Sequence, residues 1–164
     1  VKIPKGVDDG TRIRLSGKGE AGAKGGSNGD LYLFISVDNH NLFKRSEENI
    51  YYELPIAFSD AALGTTVEVP SIDGGRSKIK IPAGTQHGKQ FRLKGKGMPV
   101  LRRNSFGDLY IRIITEVPIS LSKKQKELLE EFKQLEAIKP NPMIKSFFEK
   151  AKKFWSSNSW KKLT

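Results

Sequence analysis

Two glycine–lysine–glycine runs raise the possibility of phosphate binding. They stand at residues 17–19 and 95–97, within RLSGKGE and RLKGKGM. A phosphate loop of the Walker type needs a further spaced glycine and a hydroxyl residue, and it opens into a helix. The first run lacks the spaced glycine and the hydroxyl residue, since Glu20 follows it. The next stretch is rich in glycine and cannot propagate a helix. The runs are therefore interpreted as tight, bulged turns whose lysines point to water.

A pair of carboxylates invites a catalytic interpretation, since paired carboxylates can do acid–base work. Asp30 and Asp108 both stand in a GDLY motif. An aspartate at a strand start commonly binds local backbone N–H groups, so a shared structural role is favoured. No nucleophile–base set stands out, and the protein is expected not to be an enzyme. Without cysteine, and with only His40 and His87, no metal or cofactor is expected in this chain.

The two runs belong to an internal repeat. Residues 1–35 (the first copy) align with residues 79–113 (the second copy) at one constant offset and without a gap. Each copy predicts a strand, a turn, a strand, a glycine loop and a further strand. The period-two pattern places Ile13 and Leu15 on one face of the second strand.

Residues 49–78 complete the second repeat unit. They predict a strand, a short helix that starts at Ser59 or Asp60 and ends at Gly64, and then a strand and a turn. The matching part of the first unit would have to precede Val1, so the chain is expected to begin within a module. The predicted fold is mostly β: two tandem β-sandwich-like modules, the first incomplete, followed by C-terminal helices.

A helix is predicted over residues 122–136, with Ser122 and Gln125 at capping-box spacing. It carries an apolar stripe of Leu128, Leu129, Phe132 and Leu135. A helix this short is marginal in water, so the stripe must be buried. A second copy of the chain and the chain's own second module are equally good partners on the residues alone.

The tail is strongly basic. The net charge of the chain is +11, and residues 139–164 hold seven lysines and one glutamate. Residues 143–155 place aromatic and aliphatic side chains on one helical face and lysines opposite. This pattern is compatible with a nucleic-acid site, a membrane-surface helix or a helix packed on the protein. The last is favoured because the aromatic residues share one face, so neither nucleic acid nor membrane is expected as a partner.

Several motifs together carry a resemblance to a known family. In chain order they are VKIPKGVDDGTRIRLSGKGEAG, GDLY, HNLFKR, AALGTTVEVPSIDG, IKIPAG and FRLKGKGMP with a second GDLY. This set resembles the C-terminal region of bacterial DnaJ-type J-domain co-chaperones. The resemblance implies residues 1–46 as the second half of C-terminal domain I and residues 47–119 as C-terminal domain II. It further implies a dimerisation helix over residues 120–136 and a basic amphipathic tail over residues 137–164.

The resemblance also implies a cytoplasmic protein of the stress response that dimerises, binds unfolded clients and passes them to a DnaK-type ATP-driven chaperone. The phenylalanine of HNLFKR, Phe43, would line a hydrophobic client groove, with Leu42, Ile13 and Leu15 as further candidates. A core aromatic at a domain junction is the open alternative for Phe43. The implied dimer interface comprises Leu121, Leu128, Leu129, Phe132 and Leu135.

Two features of the family are absent from this sequence. The His-Pro-Asp motif of the J domain does not occur, so this chain is not expected to stimulate the ATPase of the partner. The cysteine repeats that bind zinc in some family members are also absent.

Overall fold

The computed structural model describes residues 1–139, 141–157 and 161. The chain divides into two compact units, the first over residues 1–117 and the second over residues 118–164. The first unit holds the strands and one short helix, and the second holds two longer helices. The mostly β fold with C-terminal helices that the sequence predicts is confirmed.

The first unit contains eight strands and a helix, α1 (Phe58–Leu63). The strands are β1 (Arg12–Leu15), β2 (Leu31–Phe34), β3 (Lys44–Ser46), β4 (Asn49–Ala57), β5 (Thr65–Pro70), β6 (Arg76–Ile81), β7 (Gln90–Leu93) and β8 (Leu109–Glu116). β1 pairs with β2 and β5 with β6, both antiparallel. The other four strands form a sheet of order β3-β4-β8-β7, in which β4 and β8 run parallel.

The core lies between this four-stranded sheet and the β5–β6 hairpin. Leu109, Ile111 and Ile113 alternate along β8 and are fully buried, because side chains two residues apart point to the same face of a strand. The hairpin contributes Val69, Ile79 and Ile81 to the same cluster. On the sheet, the Tyr52 hydroxyl donates to the Pro70 carbonyl at 3.1 Å. Burial raises the pKa of Tyr52 from its ordinary value of 10.0 to about 12, so this hydroxyl remains a donor at pH values where an exposed tyrosine ionises.

The two copies of the repeat pair their strands in the same register. Ile13 faces Leu33 between β1 and β2, and Phe91 faces Ile111 between β7 and β8. All four pairs of the first ladder have their counterpart in the second at the repeat offset. The gapless alignment therefore corresponds to the same strand pairing in both copies.

Two local predictions differ from the structure. The strand predicted over residues 1–4 is not formed, whereas its counterpart at residues 79–81 pairs with β5. Among the described residues, nothing pairs with residues 1–4, and an isolated strand has no ladder to stabilise it. The helix α1 begins at Phe58, one residue before Ser59. It ends at Leu63, and Gly64 caps it with φ 83°, at the end where the sequence predicted this glycine.

The predicted division into modules at residue 46 remains a prediction. Residue 46 lies in the β3–β4 hairpin, whose strands pair from Ser46 and Asn49 outward. Arg45 of this hairpin reaches back to the first copy, where its Nη1 donates to the Val7 carbonyl at 2.7 Å and its Nη2 donates to the Gly6 carbonyl at 3.1 Å. We call this set of contacts the junction.

The second unit contains α2 (Lys123–Ile138) and α3 (Pro142–Ser156). The predicted capping box is confirmed: the Gln125 N–H donates to Ser122 Oγ at 3.2 Å, and the Ser122 N–H donates to Gln125 Oε1 at 2.9 Å. Neither helix, nor any other in the described part of the chain, is long and apolar enough to cross a membrane. Residues 140, 158–160 and 162–164 of the predicted tail lie outside the described residues.

Candidate functional site

The paired carboxylates close the glycine loops of the two copies. Asp30 Oδ1 accepts from the Gly17 N–H at 2.9 Å, and its Oδ2 accepts from Arg14 Nε at 2.7 Å. The loop needs glycine at position 17, where φ is 68°. The Gly17 N–H bond and the Arg14 guanidinium lower the pKa of Asp30. The carboxylate therefore holds its own strand ends in place.

Asp108 repeats this arrangement in the second copy. It accepts from the Gly95 N–H at 2.8 Å and from Arg92 Nε at 2.7 Å, and the pKa of Asp108 is likewise lowered, first by the Gly95 N–H. The lysines of both runs, Lys18 and Lys96, are exposed. Each aspartate binds a backbone N–H, as expected, but that N–H lies thirteen residues earlier in the chain and is not a sequence neighbour. The same geometry in both copies supports a shared structural role.

The lowered pKa of Asp108 predicts how stability depends on pH. A carboxylate whose pKa is depressed in the folded state stabilises it above the unfolded pKa, and this contribution is lost as the pH falls through the folded pKa. Asp108→Asn cannot titrate, so its thermal midpoint should lie below that of the wild type near neutral pH. The difference between the two thermal midpoints should narrow as the pH falls from about 5 through 3.8, the ordinary pKa of an aspartate, and below. A gap that stays constant down to pH 2 would contradict this prediction.

A groove lies beside Phe43, at the junction. Its volume is about 660 Å³. Phe43 is half-buried, and its ring meets Tyr52 edge-on with centroids 5.5 Å apart. His40 Nδ1 accepts from the Leu42 and Phe43 N–H groups at 3.1 and 3.2 Å, so the histidine of HNLFKR holds the backbone that carries the phenylalanine. The groove lining is Asp8, Asp9, Val37, Asp38, Asn39, His40, Phe43, Lys44, Arg45, Ile50, Ile72 and Met98.

The lining combines an apolar floor with a charged border. Two apolar residues of the floor, Ile72 and Met98, stand within the motifs AALGTTVEVPSIDG and FRLKGKGMP, but the resemblance assigned neither of them to the client groove. Met98 stands where the first copy has Glu20, and this departure from the repeat is the sequence signal that could have identified it. Ile72 lies in the turn between β5 and β6, and no local pattern marks it. The groove can take an apolar side chain of a polypeptide and leave the flanking polar groups in contact with water.

The other candidate client residues line different cavities or none of those described. Leu42 is exposed and lines a neighbouring cavity of about 420 Å³, where the Tyr51 and Tyr110 rings stack with centroids 5.0 Å apart. Ile13 lines a third cavity of about 350 Å³. Leu15 is half-buried on β1. Of the four candidates, Phe43 lines the groove.

The stripe predicted for the dimer interface is largely exposed. Leu121, Leu128, Phe132 and Leu135 are each between 40% and 63% exposed, and Leu129 is half-buried. Leu121 precedes α2, and the other four residues lie on it. The helix has four lysines and four glutamates and therefore carries no net charge. An apolar stripe on a neutral helix can pack against a second copy without charge repulsion.

Among the described residues, no group of three or more His, Asp or Glu side chains is placed to hold a metal ion.

Two family models match the chain. The model described as the DnaJ C terminal domain matches residues 1–118, and the model described as the Chaperone protein DnaJ C-terminal region matches residues 124–157. The first thus spans the repeat, the groove and the four-stranded sheet, and the second spans both helices.

Relatives with the name Chaperone protein DnaJ align along nearly the whole chain. The protein of Pelagibacter ubique is 68% identical over 157 residues, which are 96% of this chain. Those of Brucella anthropi and Rhodobacter capsulatus are each 54% identical over 155 residues, or 94% of this chain. The chain spans 42%, 41% and 40% of the length of these three relatives. On the match over residues 1–118, the chain belongs to the DnaJ C-terminal domain family.

Proposed function

We propose that this chain is the part of a cytoplasmic DnaJ-type co-chaperone that binds unfolded polypeptides, dimerises and delivers its clients to a DnaK-type ATP-driven chaperone. The observation that carries the proposal is the groove beside Phe43, whose apolar floor and charged border suit an unfolded chain. The names of the relatives, Chaperone protein DnaJ, support the proposal. The function requires neither catalysis nor a cofactor in this chain.

The groove suits weak and reversible binding. Burying one large apolar side chain contributes about 1.5–3 kcal/mol, and ordering an unfolded segment costs part of that. A single phenylalanine and a few neighbours therefore give a client a short residence time. A carrier that must hand its client to another chaperone needs such a short residence time.

The dimer part of the proposal rests on α2. Its stripe is exposed, its charges balance, and an isolated helix of this length is marginal in water. A two-fold contact would set the stripe against itself. Two grooves would then act on one client, which raises the effective concentration of the second site.

Phe43→Ala tests the client site. We expect the affinity for a labelled, permanently unfolded polypeptide to fall about tenfold, because one large apolar contact is lost. Fluorescence anisotropy measures the affinity at a temperature where circular dichroism shows both proteins folded. Phe106→Ala, which removes an exposed phenylalanine of the same unit, is the matched control and should bind as the wild type does.

The ring of Phe43 also packs on Tyr52, so Phe43→Ala is expected to lower the thermal midpoint modestly. Unchanged affinity together with a large loss of thermal stability would assign Phe43 to the core alone and refute the client site.

A further inference from the structure

The helix α3 presents a broad apolar face. Its large apolar residues are Met143, Ile144, Phe147, Phe148, Phe154 and Trp155. At 100° per residue these six fall within less than half of the helix circumference. Each of them is at least 40% exposed. In the structure, then, the face that the sequence was expected to bury against the protein is accessible to water.

The charges of α3 are arranged around that face. The helix carries four lysines and one glutamate, a net charge of +3. By helix geometry, Lys150 and Lys152 border the apolar face on its two sides, and Glu149 lies near the middle of the opposite face. Lysines at such borders extend their ammonium groups away from an apolar phase while their methylene stems lie along it.

This pattern distinguishes α3 from α2. The α2 stripe is narrower and its helix is neutral, which suits contact with an identical helix. Setting α3 against its own copy would bring two charges of +3 together. A surface that accepts the aromatic residues and also supplies negative charge would satisfy both features of α3. A bilayer with anionic headgroups is such a surface.

We propose that α3 lies on anionic lipid surfaces, with Phe147, Phe148 and Trp155 in the headgroup–acyl boundary and the bordering lysines on lipid phosphates. The helix is too short and too charged to span a bilayer, so it would lie in the plane of the surface. The inference concerns only α3 and is independent of the client groove.

Tryptophan fluorescence tests it directly, because the sequence has two tryptophans, Trp155 and Trp160. In the full chain with Trp160→Phe, Trp155 is the reporter. We expect its emission to shift to the blue on vesicles of phosphatidylcholine containing about a quarter phosphatidylglycerol. Apparent affinity should be at least about tenfold higher than for phosphatidylcholine alone, since each lysine near an anionic surface contributes about fivefold.

Three variants of the Trp160→Phe chain separate the contribution of the apolar face to vesicle binding from that of the lysines. Phe147→Ser with Phe148→Ser should weaken binding to the mixed vesicles about tenfold or more. Lys150→Glu with Lys152→Glu should abolish the preference for anionic vesicles. Leu63→Ser removes an exposed leucine of α1 and should change neither measurement. The thermal midpoint of the first unit, measured on each variant, shows that the protein remains folded.

The proposal is overturned by the absence of a vesicle-dependent shift, or by equal binding to both kinds of vesicle. It is also overturned if single-stranded DNA produces the shift and vesicles do not, which would make α3 a nucleic-acid site. If the phenylalanine variants change the oligomeric state but not the affinity for vesicles, the face belongs to a second copy.

Discussion

Gly107→Ala is expected to destabilise the chain by about 3 kcal/mol or more, whereas Gly29→Ala at the same repeat position should cost less than about 1 kcal/mol. A Cβ on Gly107 would overlap the backbone carbonyl of Glu48, which precedes β4. A Cβ on Gly29 would have only the Glu20 carbonyl oxygen nearby, at 3.8 Å. Both glycines precede the Asp-Leu-Tyr of a GDLY motif, but Gly29 is exposed whereas Gly107 is buried against Glu48.

The clash at Gly107 cannot be relieved by a small shift of Glu48. Its carbonyl accepts from the Met98 N–H at 2.8 Å, and the adjacent Asn49 accepts from the Asp108 N–H at 2.9 Å. Moving Glu48 would break these bonds and the start of the parallel β4–β8 ladder. Urea denaturation followed by circular dichroism measures the loss for both variants. Equal losses at the two positions would show that the repeat motif itself, and not contact with Glu48, requires the glycine.

Leu129→Glu with Phe132→Glu is expected to give a folded monomer. In a two-fold interface each substitution acts twice, so four carboxylates would be placed in an apolar contact. Two large apolar side chains per protomer account for a weakening of dimerisation by at least about a thousandfold. Sedimentation equilibrium over a range of protein concentrations measures the change.

Gln134→Glu with Ala137→Glu is the matched control for this experiment. It adds the same two negative charges to α2 on exposed positions of the opposite face, and it should leave the dimer intact. A wild-type protein that stays monomeric at high concentration would refute the interface. A Leu129 and Phe132 double variant that unfolds would show that the stripe belongs to the core of its own chain.

The repeat made the turn chemistry predictable from sequence. Asp30 and Asp108 hold their glycine loops as the GDLY motif indicated, because a carboxylate next to glycine binds N–H groups within its own strand pair. Asp9 and His87 occupy equivalent positions but differ in type. Both accept a backbone N–H twenty-eight residues later, Asp9 at 2.9 Å and His87 at 3.2 Å. The pattern predicted a turn there but not this bond.

The composition of the groove was not predictable in the same way. Phe43 was identified through the family resemblance. His40, three residues earlier, accepts a hydrogen bond from its backbone N–H. Ile72 and Met98 reach the groove only because β5–β6 and the second glycine loop fold back onto β4. Contacts between residues so far apart in the chain depend on packing, and a local pattern of apolar residues does not specify which of them meet.

Arg45 has a consequence for the client site that we propose beside Phe43. Its Nε donates to the Glu47 carbonyl within the hairpin, while Nη1 and Nη2 donate to the Val7 and Gly6 carbonyls of the first copy. Bending the first copy against the hairpin would therefore break two charge-assisted bonds together. A Cβ on Gly6 would collide with the Pro99 carbonyl, so the start of the first copy also lies very close to the chain that follows the second glycine loop. The groove beside Phe43 is therefore preorganised, because contacts within the protein hold its walls in place. Under the proposed function, the entropy cost of binding would then fall on the client and not on the groove.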